Sequence, residues 1–287
     1  MSLPAIQPRV FVLLAALAIM YGCRHAAPPI RFAPPGTDYA RLQRDYALTD
    51  ADRLALTPDN VRNLPQEQVD QIYARLTAGP LPDGPFRGDL FFPRDRDRHA
   101  RMNDVIDSPP ALFGDLASMP LERLGRALWK GKVFFRSQGI LRNRIDDLAI
   151  LKPIFTDSAT IPKLTFDGET TWLLFPARVS CGQSALDPSR PSIVIDYSKG
   201  PEIEGYRPVP DKLAGPDGLK IRDEIRVVRP GFYLGRAYFG TRFGLNFTLI
   251  DPASAAAAPA ALNIHEDCAS GRTASRAITS AAFSPIM

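Results

Sequence analysis

"IRDEIRVVRPGFYLGRAYFGTRFGLNFTLI", residues 221–250, holds the pattern that decides the fold. In its last third, Phe243, Leu245, Phe247 and Leu249 alternate with Arg242, Gly244, Asn246 and Thr248, so a strand with one apolar and one polar or small face is predicted there. Pro230-Gly231 fits a hairpin turn. Beyond that turn Phe232, Leu234, Arg236 and Tyr238 alternate with Tyr233, Gly235, Ala237 and Phe239. Gly235 and Ala237 make the second set small, which means either a ligand cavity beside the aromatic rings or a close approach by another element. In the first third, Ile221, Asp223, Ile225 and Val227 share one face, and Arg222, Glu224, Arg226 and Val228 share the other. The charged face neutralises itself. It is either a solvent-facing strand face or the polar lining of a cavity mouth, where the Arg222 and Arg226 forks would hold an anionic head group. Asp223, set among aliphatic neighbours, needs a cationic partner or a raised pKa.

The same punctuation extends upstream. Turn dipeptides Asp83-Gly84, Asp167-Gly168 and Asp217-Gly218 separate short β-rich runs. These are Phe86 to Phe92, Gly131 to Phe135, Ala149 to Phe155, Thr170 to Val179, Ser192 to Tyr197, Lys220 to Val228, Phe232 to Phe239 and Arg242 to Ile250. Such spacing suggests an antiparallel barrel or sandwich, interrupted by one short helix around Leu121 to Leu128. Residues 39–78 read instead as a helical section: Thr49 to Leu56, then Pro65 to Leu76 with Pro65 in the first turn and Gly79 past the end. Val69, Ile72, Tyr73 and Leu76 fall at helical spacing, so that helix has a face to bury, on a barrel end or on a sheet face.

The chain's start and finish carry a different kind of information. Residues 1–22 have one charge, Arg9, before the apolar run Val10 to Met20, and end at Tyr21-Gly22 before Cys23. A basic start with an apolar core too short to span a bilayer comfortably describes an export signal. Gly22-Cys23 resembles a bacterial lipoprotein signal, which implies a mature chain beginning at a lipidated Cys23. Arg24 after it implies outer-membrane sorting, on the periplasmic face. Residues 23–38, with four prolines in "RHAAPPIRFAPPGTD", read as an extended tether. Residues 253–287 read as a disordered low-complexity tail. If Cys23 carries lipid, Cys181 and Cys268 remain as a pair in an oxidising compartment, where a disulfide is the default.

Composition excludes several function classes. Without the signal the chain has 265 residues (287 − 22), and the net charge of +4 falls to +3 with the loss of Arg9. So small a charge on a mixed-sign surface gives no reason to expect a nucleic-acid partner. The dense run "RDRDRHAR", residues 94–101, mostly alternates in sign and reads as a solvated loop. No G-x-S-x-G elbow or glycine-rich phosphate loop is present. His25, His99 and His265 show no metal-ligand spacing, so neither metal nor cofactor is expected. The carboxylates that could act as acid or base are Asp223, Glu224 and Asp196; Asp196 could join Tyr197 and Arg178 in a polar network.

"FRGDLFF", "LWKGKVFF", "SIVIDYS" and "IRDEIRVVRPGFYLG" together resemble a group of bacterial lipocalin-like (calycin-type) β-barrel lipoproteins. The likeness rests on Trp129, Gly131, Lys132 and Phe134, on Arg222 to Arg226, and on Pro230, Gly231, Tyr233, Leu234 and Gly235. It covers roughly residues 79–250 and implies a mainly β fold, an antiparallel lipocalin-like barrel over 79–252. The group has no settled activity to carry over, and a fold alone would not supply one. The expectation is a lipid-anchored barrel that binds an apolar or amphipathic small molecule. Trp172, Phe175, Tyr233 and Phe247 would form walls and Arg222 or Arg226 would hold the polar head. The alternatives are an envelope module with a filled core and an acid/base enzyme acting on a lipid-like substrate.

Overall fold

The structure is a computed structural model that describes residues 30–92, 95, 121–146, 148–151, 160–256 and 262–268. The export signal, Cys23, the charge run 94–101 apart from Asp95, and most of the tail lie outside the described residues. Eight strands form a closed antiparallel barrel: β1 (Gly84–Phe91), β2 (Trp129–Phe135), β3 (Ile140–Ile145), β5 (Glu169–Gln183), β6 (Pro191–Asp196), β7 (Ile221–Arg229), β8 (Phe232–Phe239) and β9 (Arg242–Ile250). Each pairs with its neighbours in this order, and pairing of β1 with β9 closes the ring. This up-and-down barrel is consistent with a lipocalin-like fold. A short strand β4 (Lys163–Phe166) pairs only with the first half of β5, as a side hairpin turned at Asp167-Gly168.

Two elements differ from the sequence expectation. The segment expected as a strand from Ala149 to Phe155 is, over the residues described, a 3-10 turn at Leu148–Leu151. The strand in that place is β3, "ILRNRI", whose central Arg142, Asn143 and Arg144 break the apolar pattern; all its residues are nevertheless buried. Alternation failed as a signal because both faces of β3 are covered and both carry polar residues, Arg142 and Arg144 outside and Asn143 inside.

The barrel is filled at one end. Thr77 bridges to Val227, and Ala78 and Cys268 join the core beside partly buried Leu81 and Ile264. Cys181 at the end of β5 is bonded to Cys268 with a Cα separation of 5.4 Å. Asp267 ties the same segment down: its Oδ2 accepts from the Leu81 N–H at 2.7 Å and from Arg136 at 2.8 Å. So residues 262–268 form part of the plug rather than of a loose tail.

Among the described residues, four helices precede the barrel: α1 (Tyr39–Asp45), α2 (Asp50–Ala55), α3 (Pro58–Arg62) and α4 (Gln66–Arg75). Thr49 with Asp52 and Thr57 with Asn60 form capping boxes that start α2 and α3, each satisfying two end donors. Pro65 serves as the N-cap of α4, one place earlier than expected. The choice between barrel end and sheet face resolves to the sheet face, since α4 packs outside the barrel across β6 to β9. Tyr73 Oη meets Ser192 Oγ at 3.1 Å, Arg226 donates to the Tyr73 carbonyl at 3.0 Å, Asp70 pairs with Arg236, and Asn246 donates to Gln66 at 3.1 Å. Glu224 and Arg226 are fully buried as a result. Of the charged face of residues 221–228, only Arg222 reaches solvent, while Glu224 and Arg226 meet neither solvent nor cavity: Arg226 is a clasp for the C-terminal carbonyls of a helix.

Candidate ligand cavity

At the end opposite the plug the barrel interior holds a cavity of about 190 Å³. Alternation brings Ile221 and Asp223 of β7, Ala237 and Phe239 of β8, and Leu245 and Phe247 of β9 to its wall. Leu90 of β1 and Ile145 of β3 contribute further walls. Helix α5 (Leu121–Leu128) adds Leu128 and Gly125, whose missing side chain lets the helix touch Leu90. Small residues do two jobs on β8. Ala237 borders the void, whereas Gly235 is covered by the Phe247 ring, which a Cβ would meet at 2.3 Å.

A polar cluster interrupts this apolar lining. Lys132 on β2 points inward with Phe134, and its ammonium donates to Asp223 Oδ2 at 2.9 Å, Asn143 Oδ1 at 2.9 Å and Tyr197 Oη at 2.6 Å. Asn143 is held in turn by the indole N–H of Trp129 at 2.9 Å and donates to the Phe175 carbonyl at 3.0 Å. The side chains of Lys132 and Asp223 are 3% and 5% exposed. Rings of Trp129, Tyr197 and Phe247 each stand 5.3 Å from the Lys132 nitrogen, a cage whose faces favour a cation. Burial lowers the lysine pKa, opposed by the charge and hydrogen bond of Asp223. Burial likewise raises the Tyr197 hydroxyl well above its ordinary value, helped by the nearby carboxylate.

Local irregularities aim these groups. A register shift between Trp129 and Gly131 bulges β2, and Gly131 takes φ +128 against the Phe86 carbonyl, where a Cβ would sit 2.1 Å from the oxygen. Bulges of this kind redirect side chains, and here the indole turns into the cavity. On β5, Phe175 adopts φ 53, a conformation that costs a bulky residue about 1–2 kcal/mol. It is held by Asp211, whose Oδ1 accepts the Phe175 N–H at 2.7 Å. Burial raises the Asp211 pKa, and the two backbone N–H groups that it accepts counter this.

Of the residues expected from the sequence to form the site, Phe247, Phe175 and Asp223 line the cavity. Arg222 lies on the outer face, bound to Glu224 and to the Gln183 carbonyl, and Arg226 is the helix clasp, so neither can hold a head group inside. Tyr233 is packed in the filled half, its hydroxyl on the Pro80 carbonyl at 2.8 Å. Trp172 borders β4, with the Lys163 ammonium 5.1 Å from its ring. Glu224 accepts from the Ala185 N–H outside the barrel, and Asp196 caps the 3-10 turn after β6 through Ser198; neither reaches the cavity. The alternation reading missed Lys132 and Asn143 as site residues. A lysine in the middle of "WKGKVFF" is the signal that could have found the first.

No protein-family model, curated protein or solved structure matches the chain. The class that fold and cavity define is accordingly an eight-stranded antiparallel barrel, filled at one end and hollow at the other.

Proposed function

We propose that the protein binds a compact, largely apolar small molecule inside the barrel, as a lipid-anchored protein on the periplasmic face of the bacterial outer membrane. The anchor and location rest on residues 1–24 as a lipoprotein-type signal with Cys23. The binding reading rests on one observation: an apolar void walled by Leu90, Phe239, Leu245 and Phe247 that carries a buried Lys132–Asp223 pair on its side. A barrel whose only task was architecture would gain stability by filling that void.

The volume and charge narrow the ligand. A cavity of about 150 Å³ can hold benzene, so 190 Å³ suits a molecule of roughly that size with a small substituent. Lys132 is already neutralised by Asp223, so a carboxylate head would bring an unpaired charge into the interior. A neutral carbonyl or hydroxyl meets no such penalty. Native mass spectrometry of residues 24–287 from an oxidising periplasm, before and after organic extraction, is the test. A releasable adduct supports the reading; a bare mass together with a melting temperature indifferent to benzyl alcohol would overturn it.

A further inference from the structure

We propose that Lys132 captures small aldehydes or ketones covalently, as an imine, within the cavity. This deepens the binding reading and rests on it. Three features of the geometry carry the inference. Among the described residues Lys132 is the amine that borders the void, and its side chain is itself almost wholly shielded from solvent. The Asp223 carboxylate, 2.9 Å from Lys132 Nζ, is placed to take the proton that must leave before the nitrogen can attack. The three rings at 5.3 Å and the same carboxylate surround the position that the product's positive charge would occupy.

The step balances without any further reagent. Lys132 passes one proton to Asp223 and its lone pair forms the C–N bond as the carbonyl π bond opens onto oxygen, which takes the proton back from Asp223. The resulting carbinolamine loses its hydroxyl with a second nitrogen proton as water, Tyr197 Oη at 2.6 Å relaying protons between nitrogen and oxygen. An ammonium, a carboxylate and a carbonyl compound become an iminium, the same carboxylate and one water. Total charge is unchanged, so the buried ion pair of the free protein is replaced by another. Hydrolysis needs that water to return, and the apolar walls oppose it.

Benzaldehyde and benzyl alcohol, which have the same carbon skeleton, separate capture from binding. The protein would be incubated with benzaldehyde, reduced with borohydride and digested, and the benzyl mass located by peptide sequencing. The expected result is labelling of Lys132 about tenfold or more above exposed Lys163 and Lys199, as proximity in a confined site gives, suppressed by excess benzyl alcohol. Lys132→Met with Asp223→Asn, which leaves no lone charge in the interior, should lose that label. If both molecules raise the melting temperature while the label spreads over exposed lysines, capture is overturned and binding stands. If neither raises it and Lys132 stays unlabelled, both readings fall.

Discussion

The barrel wall carries two buried polar layers, one on each of its faces and meeting only at β7, and they are built differently. Outside, Arg226 donates to the carbonyls of Tyr73, Ala74 and Arg190 and to Ser192 Oγ, so its partners are mostly backbone. Inside, Lys132, Asp223, Asn143 and Tyr197 bond mainly to one another beside an empty space. A layer that answers main-chain carbonyls fastens one element to another, and removing its donor strands groups that no mutation can delete. A layer made of side chains around a void fastens little, because all its members could be exchanged for apolar groups together. The difference separates architecture from a site without reference to any relative.

The sharpest break in that contrast comes from Lys132→Met alone. It leaves the Asp223 carboxylate buried without its cation, and a loss of about 4 kcal/mol is expected in urea unfolding at neutral pH. A loss below about 1 kcal/mol would mean that the pair contributes no charge balance and that the inner layer has been misread. Arg226→Met should cost about 3 kcal/mol by the same measurement, since helix carbonyls lose their donor. No second substitution on β7 should restore it. Gly235→Ala is expected to cost about 2 kcal/mol by overpacking. Its Cβ would meet Phe247 ring atoms from 2.3 Å and push that ring toward the cavity, so the stabilisation by benzyl alcohol should disappear as well. The smallest effect belongs to Lys132→Met combined with Asp223→Leu, within about 1 kcal/mol of the starting protein. A double variant as unstable as Lys132→Met would show that the inner layer, too, is structural.

The meander from residue 221 to 250 was legible because its inward faces are apolar along most of their length and its turn is marked by Pro230-Gly231. The alternation even singled out Asp223 as a residue in need of a partner. It could not name Lys132 as that partner: the two are far apart in sequence, and their meeting depends on the closure of the ring across β9, β1 and β2. Strand β3 escaped notice because Arg142 and Arg144 suggest exposure, whereas both lie buried on its outer face, Arg142 on the Glu204 carbonyl at 2.6 Å and Arg144 with the Phe166 ring 4.9 Å away. The role of Arg226 was hidden for a related reason. Period-2 patterning tells which residues share a face, but not that a helix will cover the face that looks like surface.

The position of α4 also sets an order in time. Its partners Ser192, Arg226, Arg236 and Asn246 lie 119 to 180 residues further along the chain. The helical section therefore has nothing to dock on until the strands made after it exist, and ordering it requires closing long loops. Until then the Val69, Ile72, Tyr73 and Leu76 stripe is unprotected, the kind of apolar surface that draws chaperones and proteases to incomplete chains. A chain stopped at residue 219 should accordingly be cleaved within residues 39–78 by dilute protease, while the same bonds in the full-length protein resist. Residues 39–78 are made before every strand they pack on, so their protection reports completion of the whole barrel.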